Sequence, residues 1–226
     1  MNYMLKKKLL ALIFPTRCPL CNRFIHAHEK FCDNCYDSIT IYKGNHSVRG
    51  AAAFTAAFEY DSSSSPAVLL LKRGIRGNAA YALGTALAET IKERIQTENI
   101  DFIVPVPMYD TDRKKRGFNQ AELIAREVGR ILGIDVLTDC VKKTRLTQNQ
   151  KNLSARQRTV NLKKAFDVEN SDIVRNKQIL LIDDVCTTGS TLAEITKTLR
   201  QNGAAAVYCA ACCKTPDLKK EDVENV

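Results

Sequence analysis

Two adjacent carboxylates followed by a cluster of hydroxyls around a glycine carry the densest chemistry in the chain: Asp183 and Asp184, then Thr187, Thr188, Gly189, Ser190 and Thr191. A hydroxyl- and Gly-rich turn that opens a helix cradles a phosphate, because free backbone N–H groups and the positive end of the helix converge on one spot. A carboxylate is repelled by that phosphate, but it accepts hydrogen bonds from two neighbouring sugar hydroxyls. A ribose 5-phosphate group satisfies both demands. Its phosphate would sit on Thr187–Thr191 and its diol on Asp183 and Asp184, which places these two acids at the reacting centre. The plainer alternative is a strand and turn whose acids only cap the helix. No Lys follows the glycine, so a nucleoside triphosphate P-loop is excluded.

A second stretch suits a further anion. In IVPVPM (103–108), Pro105 and Pro107 fix a rigid turn, and the amides of Val106 and Met108 can face a negative group. Arg113, Lys114, Lys115 and Arg116 follow at once. Oriented donors next to cationic charge fit a diphosphate. The alternative is a proline-terminated strand with a solvated basic loop.

Nine cysteines are present, and four form two C-x2-C pairs, Cys18/Cys21 and Cys32/Cys35, separated by ten residues. Two such knuckles complete a tetrahedron of thiolates around one zinc ion. About 35 residues cannot bury a core alone, so metal would supply the folding energy of this module. Paired disulfides are the alternative, and nothing in the sequence points to an oxidising compartment. Cys140, Cys186, Cys209, Cys212 and Cys213 lie in or beside apolar strands and read as buried thiols.

The elements that must position these groups follow from pattern. Ile179–Ile182 is a continuous apolar run, the signature of a strand buried on both faces of a parallel sheet. Leu192, Ile195 and Leu199 share one face of the helix that follows. Residues 50–61 alternate small and aromatic side chains and predict a hairpin or paired short strands. Ser65 is a candidate N-cap for the segment before LLLKRG, and an Ala-rich helix should run from Ala79 to Arg94. A strand is predicted over 100–107, a helix over 119–132 with Gly133 closing it, short strand 165–168, and a last buried strand over 204–213. The βαβα alternation predicts a parallel sheet flanked by helices, with ligands beyond the carboxyl ends of its strands.

The chain has 226 residues and a formal net charge of +9, a balance that suits a polyanionic partner. Lys6–Lys8 precede a short apolar run, Leu9–Pro15, far too short to span a bilayer and lacking a small-residue cleavage site. It reads as a short amphipathic helix that packs on the cysteine module, with a membrane-surface role as the alternative and no stable membrane insertion.

The run from Ile179 to Thr191 resembles the phosphoribosyl diphosphate signature of type I phosphoribosyltransferases: four hydrophobics, two acids, a variable pair, then the hydroxyl and glycine loop. RGFNQAELIA (116–125) looks like the diagnostic segment of the ComF family of competence proteins. So does the pattern T-x2-Q-x2-L-x4-R-x2-N-x3-A-F, supplied by Thr147, Gln150, Leu153, Arg158, Asn161, Ala165 and Phe166. The four-cysteine module and Lys72 in LLLKRG also fit, although LKRGIRG departs from the usual Lys-aromatic-x-Gly run.

The resemblance implies an α/β, phosphoribosyltransferase type I-like fold. Residues 1–44 would form the leading helix and four-Cys zinc-ribbon or knuckle module, 45–215 the phosphoribosyltransferase-like domain and 216–226 a charged tail. It implies that Asp183 and Asp184 hold the ribose hydroxyls and that Thr187–Thr191 hold the 5-phosphate. Lys72 would lie near the diphosphate, alongside Pro105, Val106, Pro107, Met108, Arg113 and Arg116. The segment from Lys142 to Asn161, with Thr147, Gln150 and Arg158, would be a mobile flap over the site, and Mg2+ would accompany the diphosphate. The acceptor would bind under a hood formed by the 50–61 hairpin and the zinc module. In process terms the family implies natural transformation, with single-stranded DNA and a DNA-uptake helicase as partners. The place would be the cytoplasm, at large or at the inner membrane face beside the uptake machinery. A nucleobase or amine phosphoribosyltransferase of nucleotide metabolism with no DNA role is the alternative.

Overall fold

A computed structural model describes residues 3–73, 78–144, 162 and 164–216. Thr147, Gln150 and Arg158 of the expected flap, and the tail beyond Pro216, lie outside the described residues.

Four strands form one sheet in the order β1-β6-β5-β2: β1 (Ala53–Glu59), β2 (Phe102–Pro105), β5 (Gln178–Cys186) and β6 (Ala206–Lys214). All three pairings are parallel. The central β5 explains its own sequence. Leu180 and Ile182 point to one face, Ile179 and Leu181 to the other, and all four are fully buried because both faces are covered.

One face carries α3 (Ser65–Lys72), α4 (Asn78–Arg94) and α6 (Gln120–Leu132), which bring Leu71, Leu83, Leu87, Ile91, Ile124 and Val128 into the core with Leu180 and Ile182. The other carries α8 (Ser190–Gln201), whose Leu192, Ile195 and Leu199 pack with Ile179 and Leu181. Between them run α5 (Asp110–Arg116), a small antiparallel pair β3 (Val141–Lys143) and β4 (Phe166–Val168), and the single turn α7 (Ser171–Val174). As predicted, Gly133 closes α6 in the left-handed region at φ 72°.

Two expectations are corrected. Residues 50–61 form no hairpin: β1 is one strand, docked parallel to β6 through Phe54↔Cys209 and Phe58↔Cys213, with Ile41 making a single antiparallel bridge on its other side. The helix cap falls one residue early, since Ser64 precedes α3 and Ser65 begins it.

The cysteine module, with α2 (Asp33–Ser38), sits against α4 and the β1 edge. Phe31 meets Phe58 edge-on at 5.9 Å, Asn78 Nδ2 donates to the Glu29 and Lys30 carbonyls, and the Tyr81 hydroxyl donates to the His28 carbonyl. The leading helix α1 (Tyr3–Ile13) has no fully buried residue; Tyr3 and Lys7 tie it to Glu127 of α6 and Asn78 of α4. Among the described residues no helix is long and apolar enough to cross a membrane.

Candidate functional site

A cleft of about 460 Å³ opens beyond the carboxyl ends of β1, β2 and β5, where the topology places ligands. Asp183 and Asp184 form part of its lining, with Lys72, Val106, Pro107, Met108, Thr187, Gly189, Ser190 and Thr191.

The acids belong to β5 itself, which continues through them to Cys186. Each turns one carboxylate oxygen back onto the chain: Asp183 accepts from the Asp184 N–H, and Asp184 from the Val185 N–H, both at 2.8 Å. Lys72, at the last turn of α3, meets Asp184 Oδ2 at 2.9 Å. Burial opposes the Lys72 charge, yet Asp184, with help from Asp183, lifts its pKa above the usual lysine value. Asp183 shows the reverse balance. Burial, reinforced by the charge of Asp184, drives its carboxyl well above the ordinary range, and Lys72 counters only part of that. The two acids therefore form one electrostatic unit whose last proton is held unusually tightly.

The loop after β5 has the predicted shape. Gly189 is the N-cap of α8 with φ 73°, a conformation that glycine adopts without steric cost. A Cβ there would stand 3.0 Å from His46 Nε2. The Thr188 and Ser190 hydroxyls share a hydrogen bond at 2.8 Å. From behind, Thr215 N–H donates to the Cys186 carbonyl at 3.0 Å, so the end of β6 braces the loop. The hydroxyls and the opening turn of α8 thus converge on the cleft. Thr188 is the exception: it is exposed and does not line the cleft.

The expected diphosphate group is reached only in part. The Val106 N–H is already spent on the Ile182 carbonyl at 2.8 Å, extending the β2–β5 ladder, so it cannot face an anion. Pro105 lies within β2, buried, opposite Ile182. Arg113 and Arg116 project from α5 to Glu122 Oε2 at 3.3 Å and Gln120 Oε1 at 2.9 Å, outside the cleft lining. The cation that lines the cleft instead is Lys143 on β3. Burial pulls its pKa below the usual lysine value, with the nearby charge of Asp112 opposing. It lies in the basic run VKKTR, but its place in the cleft wall goes with the β3–β4 pairing, which the local pattern does not reveal.

Tyr60, Asn119, Gln120 and Phe166 complete the walls, and sequence reasoning had given none of them a role in the site. Asn119 caps α6 through the Ala121 N–H and donates to the Val106 carbonyl at 2.9 Å, tying that helix start to the proline turn. The signal for Tyr60 was available, since it ends β1 at the carboxyl edge. The expected hood is corrected too. No residue of the cysteine module lines the cleft, although His46 and Val48, just beyond it, approach Gly189.

Cys186 lines the cleft, but burial first and then the charge of Asp183 push its thiol up to about 12, so it fills space rather than acting as a nucleophile.

Away from the cleft, the sulfurs of Cys18, Cys21, Cys32 and Cys35 all lie within 4.8 Å of one another. Four ligands about 2.3 Å from a central zinc ion stand about 3.8 Å apart, so the cluster fits a structural tetrahedron. Asn22, with φ 64°, closes the first knuckle through its N–H to the Cys18 carbonyl. The Arg23 backbone N–H draws the Cys21 thiol down to about 7, readying it as a thiolate. Four thiolates close the shell, leaving this metal a structural role.

The chain is similar to several known proteins. The phosphoribosyl transferase domain family matches residues 78–226, and the double zinc ribbon domain family matches residues 9–54. The chain is 38% identical over 160 residues, 70% of each chain, to the DNA utilization protein YhgH of Escherichia coli. To Competence protein F of Haemophilus influenzae it is 42% identical over 106 residues, 46% of each chain. Among solved structures, the glutamine phosphoribosylpyrophosphate amidotransferase of B. subtilis superposes with a TM-score of 0.39 at 18% identity. It covers 57% of this chain, which in turn spans a quarter of that protein's length.

Proposed function

The chain belongs to the phosphoribosyl transferase domain family as a ComF-type protein, and we propose on that premise that its cleft binds phosphoribosyl diphosphate in the service of DNA utilisation and natural transformation. One observation carries the reading: an acidic pair at the end of a buried parallel strand, continuous with a hydroxyl and glycine loop that opens a long helix, all facing one cleft.

Each group has a role in this reading. Thr187, Gly189, Ser190 and Thr191 hold the 5-phosphate with N–H and O–H donors and the positive end of α8. Asp183 and Asp184 accept from the ribose 2′ and 3′ hydroxyls through the oxygens they do not spend on the backbone. Lys72 and Lys143 face the diphosphate, helped by the turn at Pro107 and Met108. Lys72 then exchanges its pairing with Asp184 for a share of the ligand's charge. Carboxylate oxygens at the cleft, those of Asp183, Asp184 and Asp112, are the hard donors that magnesium takes through water. The ion would neutralise diphosphate charge.

Transfer to an acceptor breaks the bond from C1 of ribose to the diphosphate oxygen and forms a bond from C1 to an acceptor nitrogen. The diphosphate leaves with the bonding electron pair, and the proton given up by the acceptor nitrogen passes to the departing diphosphate or to solvent. Positioning and charge stabilisation supply the rate in such a site. The names of the relatives support the DNA role, with single-stranded DNA and an uptake helicase as the expected partners.

The deciding experiment is diphosphate release from phosphoribosyl diphosphate by the zinc-loaded protein, over a panel of nucleobases and amines, with and without single-stranded DNA. Release or tight binding that responds to DNA supports the proposal. Release with a nucleobase alone, indifferent to DNA, supports a nucleotide-metabolism enzyme instead.

A further inference from the structure

Helix α1 carries apolar side chains on both sides, and one stripe of them is turned away from the protein. At about 100° per residue, Tyr3, Lys7, Leu10 and Phe14 fall on one side, and these line the groove between α1, α4 and α6. Leu5, Leu9, Leu12 and Ile13 fall on the opposite side, with Lys8 at one edge of the stripe and Lys6, which also lines the groove, at the other. Leu12 is 81% exposed and Ile13 73%, values typical of side chains with nothing over them.

The inner side is held by polar links. The Tyr3 hydroxyl donates to Glu127 Oε2 at 3.2 Å, Lys7 donates to Asn78 Oδ1 at 3.0 Å and lies over the Tyr81 ring, and Arg130 stacks on Tyr3 at 4.1 Å. The helix is thus fixed to the body through Tyr3 and Lys7, while Leu5, Leu9, Leu12 and Ile13 face outward with nothing over them among the described residues.

We propose that this outward face is an interfacial anchor that docks on an anionic lipid surface. An exposed apolar stripe edged by cations suits an anionic lipid surface. Lys6 and Lys8 can lay their stems on the apolar surface and reach headgroup phosphates, the snorkelling arrangement of helices lying in a membrane interface. A net charge of +9 adds long-range attraction to the same surface. A second copy is the poorer occupant, because pairing brings the lysines of both copies to one seam and α1 carries no acid to offset them. Past the helix, the exposed Phe24, stacked under Arg17 at 3.9 Å, repeats the pairing of apolar and basic groups. Docking through α1 does not use the ligand cleft, so it stands independently of the proposed function.

The test is flotation of the full-length, zinc-loaded protein with vesicles of phosphatidylglycerol and phosphatidylcholine, compared with phosphatidylcholine alone. The protein should float with the anionic vesicles, and raised salt should release it. Leu9→Ser with Leu12→Ser should weaken association by at least about tenfold. Because neither side chain is buried, zinc content and phosphoribosyl diphosphate affinity should match the unsubstituted chain. Lys6→Glu with Lys8→Glu should abolish the preference for anionic lipid. Three outcomes overturn the proposal: no flotation in dilute salt, flotation unchanged by the leucine pair, or the leucine pair dispersing a dimer in solution while flotation persists.

Discussion

Replacing Asp183 by Asn should make the protein more stable and, at the same time, unable to hold its ligand. Asp183 is hemmed in at the cleft floor, and burial and Asp184 together drive its pKa well above the ordinary value of 3.8. As a general scale, two unit charges about 4 Å apart repel by about 4 kcal/mol at an effective dielectric of about 20. Lys72 offsets part of this through its contact with Asp184, leaving on the order of 1–2 kcal/mol of strain. Asn keeps the Oδ1 that accepts the Asp184 N–H and removes the charge. For a chain of this size the gain corresponds to roughly 2–8 °C in Tm at neutral pH.

The pH dependence fixes the sign. A carboxyl whose pKa is raised on folding destabilises the native state fully above its folded pKa, and that penalty disappears as pH falls toward 3.8. The stability gap between variant and parent should therefore be widest at neutral pH and close in acid. Asp184→Asn is the control: it relieves the same repulsion but removes the partner of Lys72, so its gain should be smaller. Differential scanning calorimetry across pH reads both. If Asp183→Asn is no more stable than the parent at neutral pH, or the gap ignores pH, the electrostatic account of the acidic pair is wrong.

Other perturbations probe the rest of the architecture. Cys32→Ser, or chelation, should release the metal, whose binding free energy is on the order of 10 kcal/mol, and loosen the Phe31–Phe58 contact; metal analysis with thermal melts checks this. Lys143→Ala should weaken phosphoribosyl diphosphate binding by about tenfold, whereas Arg113→Ala, outside the cleft, should change it less than about twofold; calorimetry compares them. Gly189→Ala forces a side chain into the left-handed region, about 1–2 kcal/mol, and against His46, so it should reduce both affinity and Tm.

The residues legible in the sequence were those whose role is set by near neighbours. Ile179–Ile182, Gly133 and the Cys18–Cys35 knuckles each announce themselves within a few positions, as does the loop around Gly189. What escaped depends on distant partners. The small side chains of β1 suggested a hairpin because its true neighbour, β6, lies about 150 residues further on, and Ala56↔Ala211 packs two small residues side by side. The prolines at 105 and 107 were rightly placed at a strand end, but the register that spends the Val106 N–H on Ile182 appears only when β2 meets β5. Arg113 and Arg116 were credited to the ligand by proximity in the chain, whereas α5 carries them to Glu122 and Gln120. For α1 the sequence marks a short amphipathic helix but not its partners, which are Glu127 of α6 and Asn78 of α4.

The most direct test is calorimetric titration of phosphoribosyl diphosphate, with magnesium, into the zinc-loaded chain and into the Asp183→Ala, Asp184→Ala double variant. The proposed site predicts one ligand bound per chain by the former and no measurable heat of binding with the latter. Equal affinity in both, or no binding by the intact chain, would contradict it.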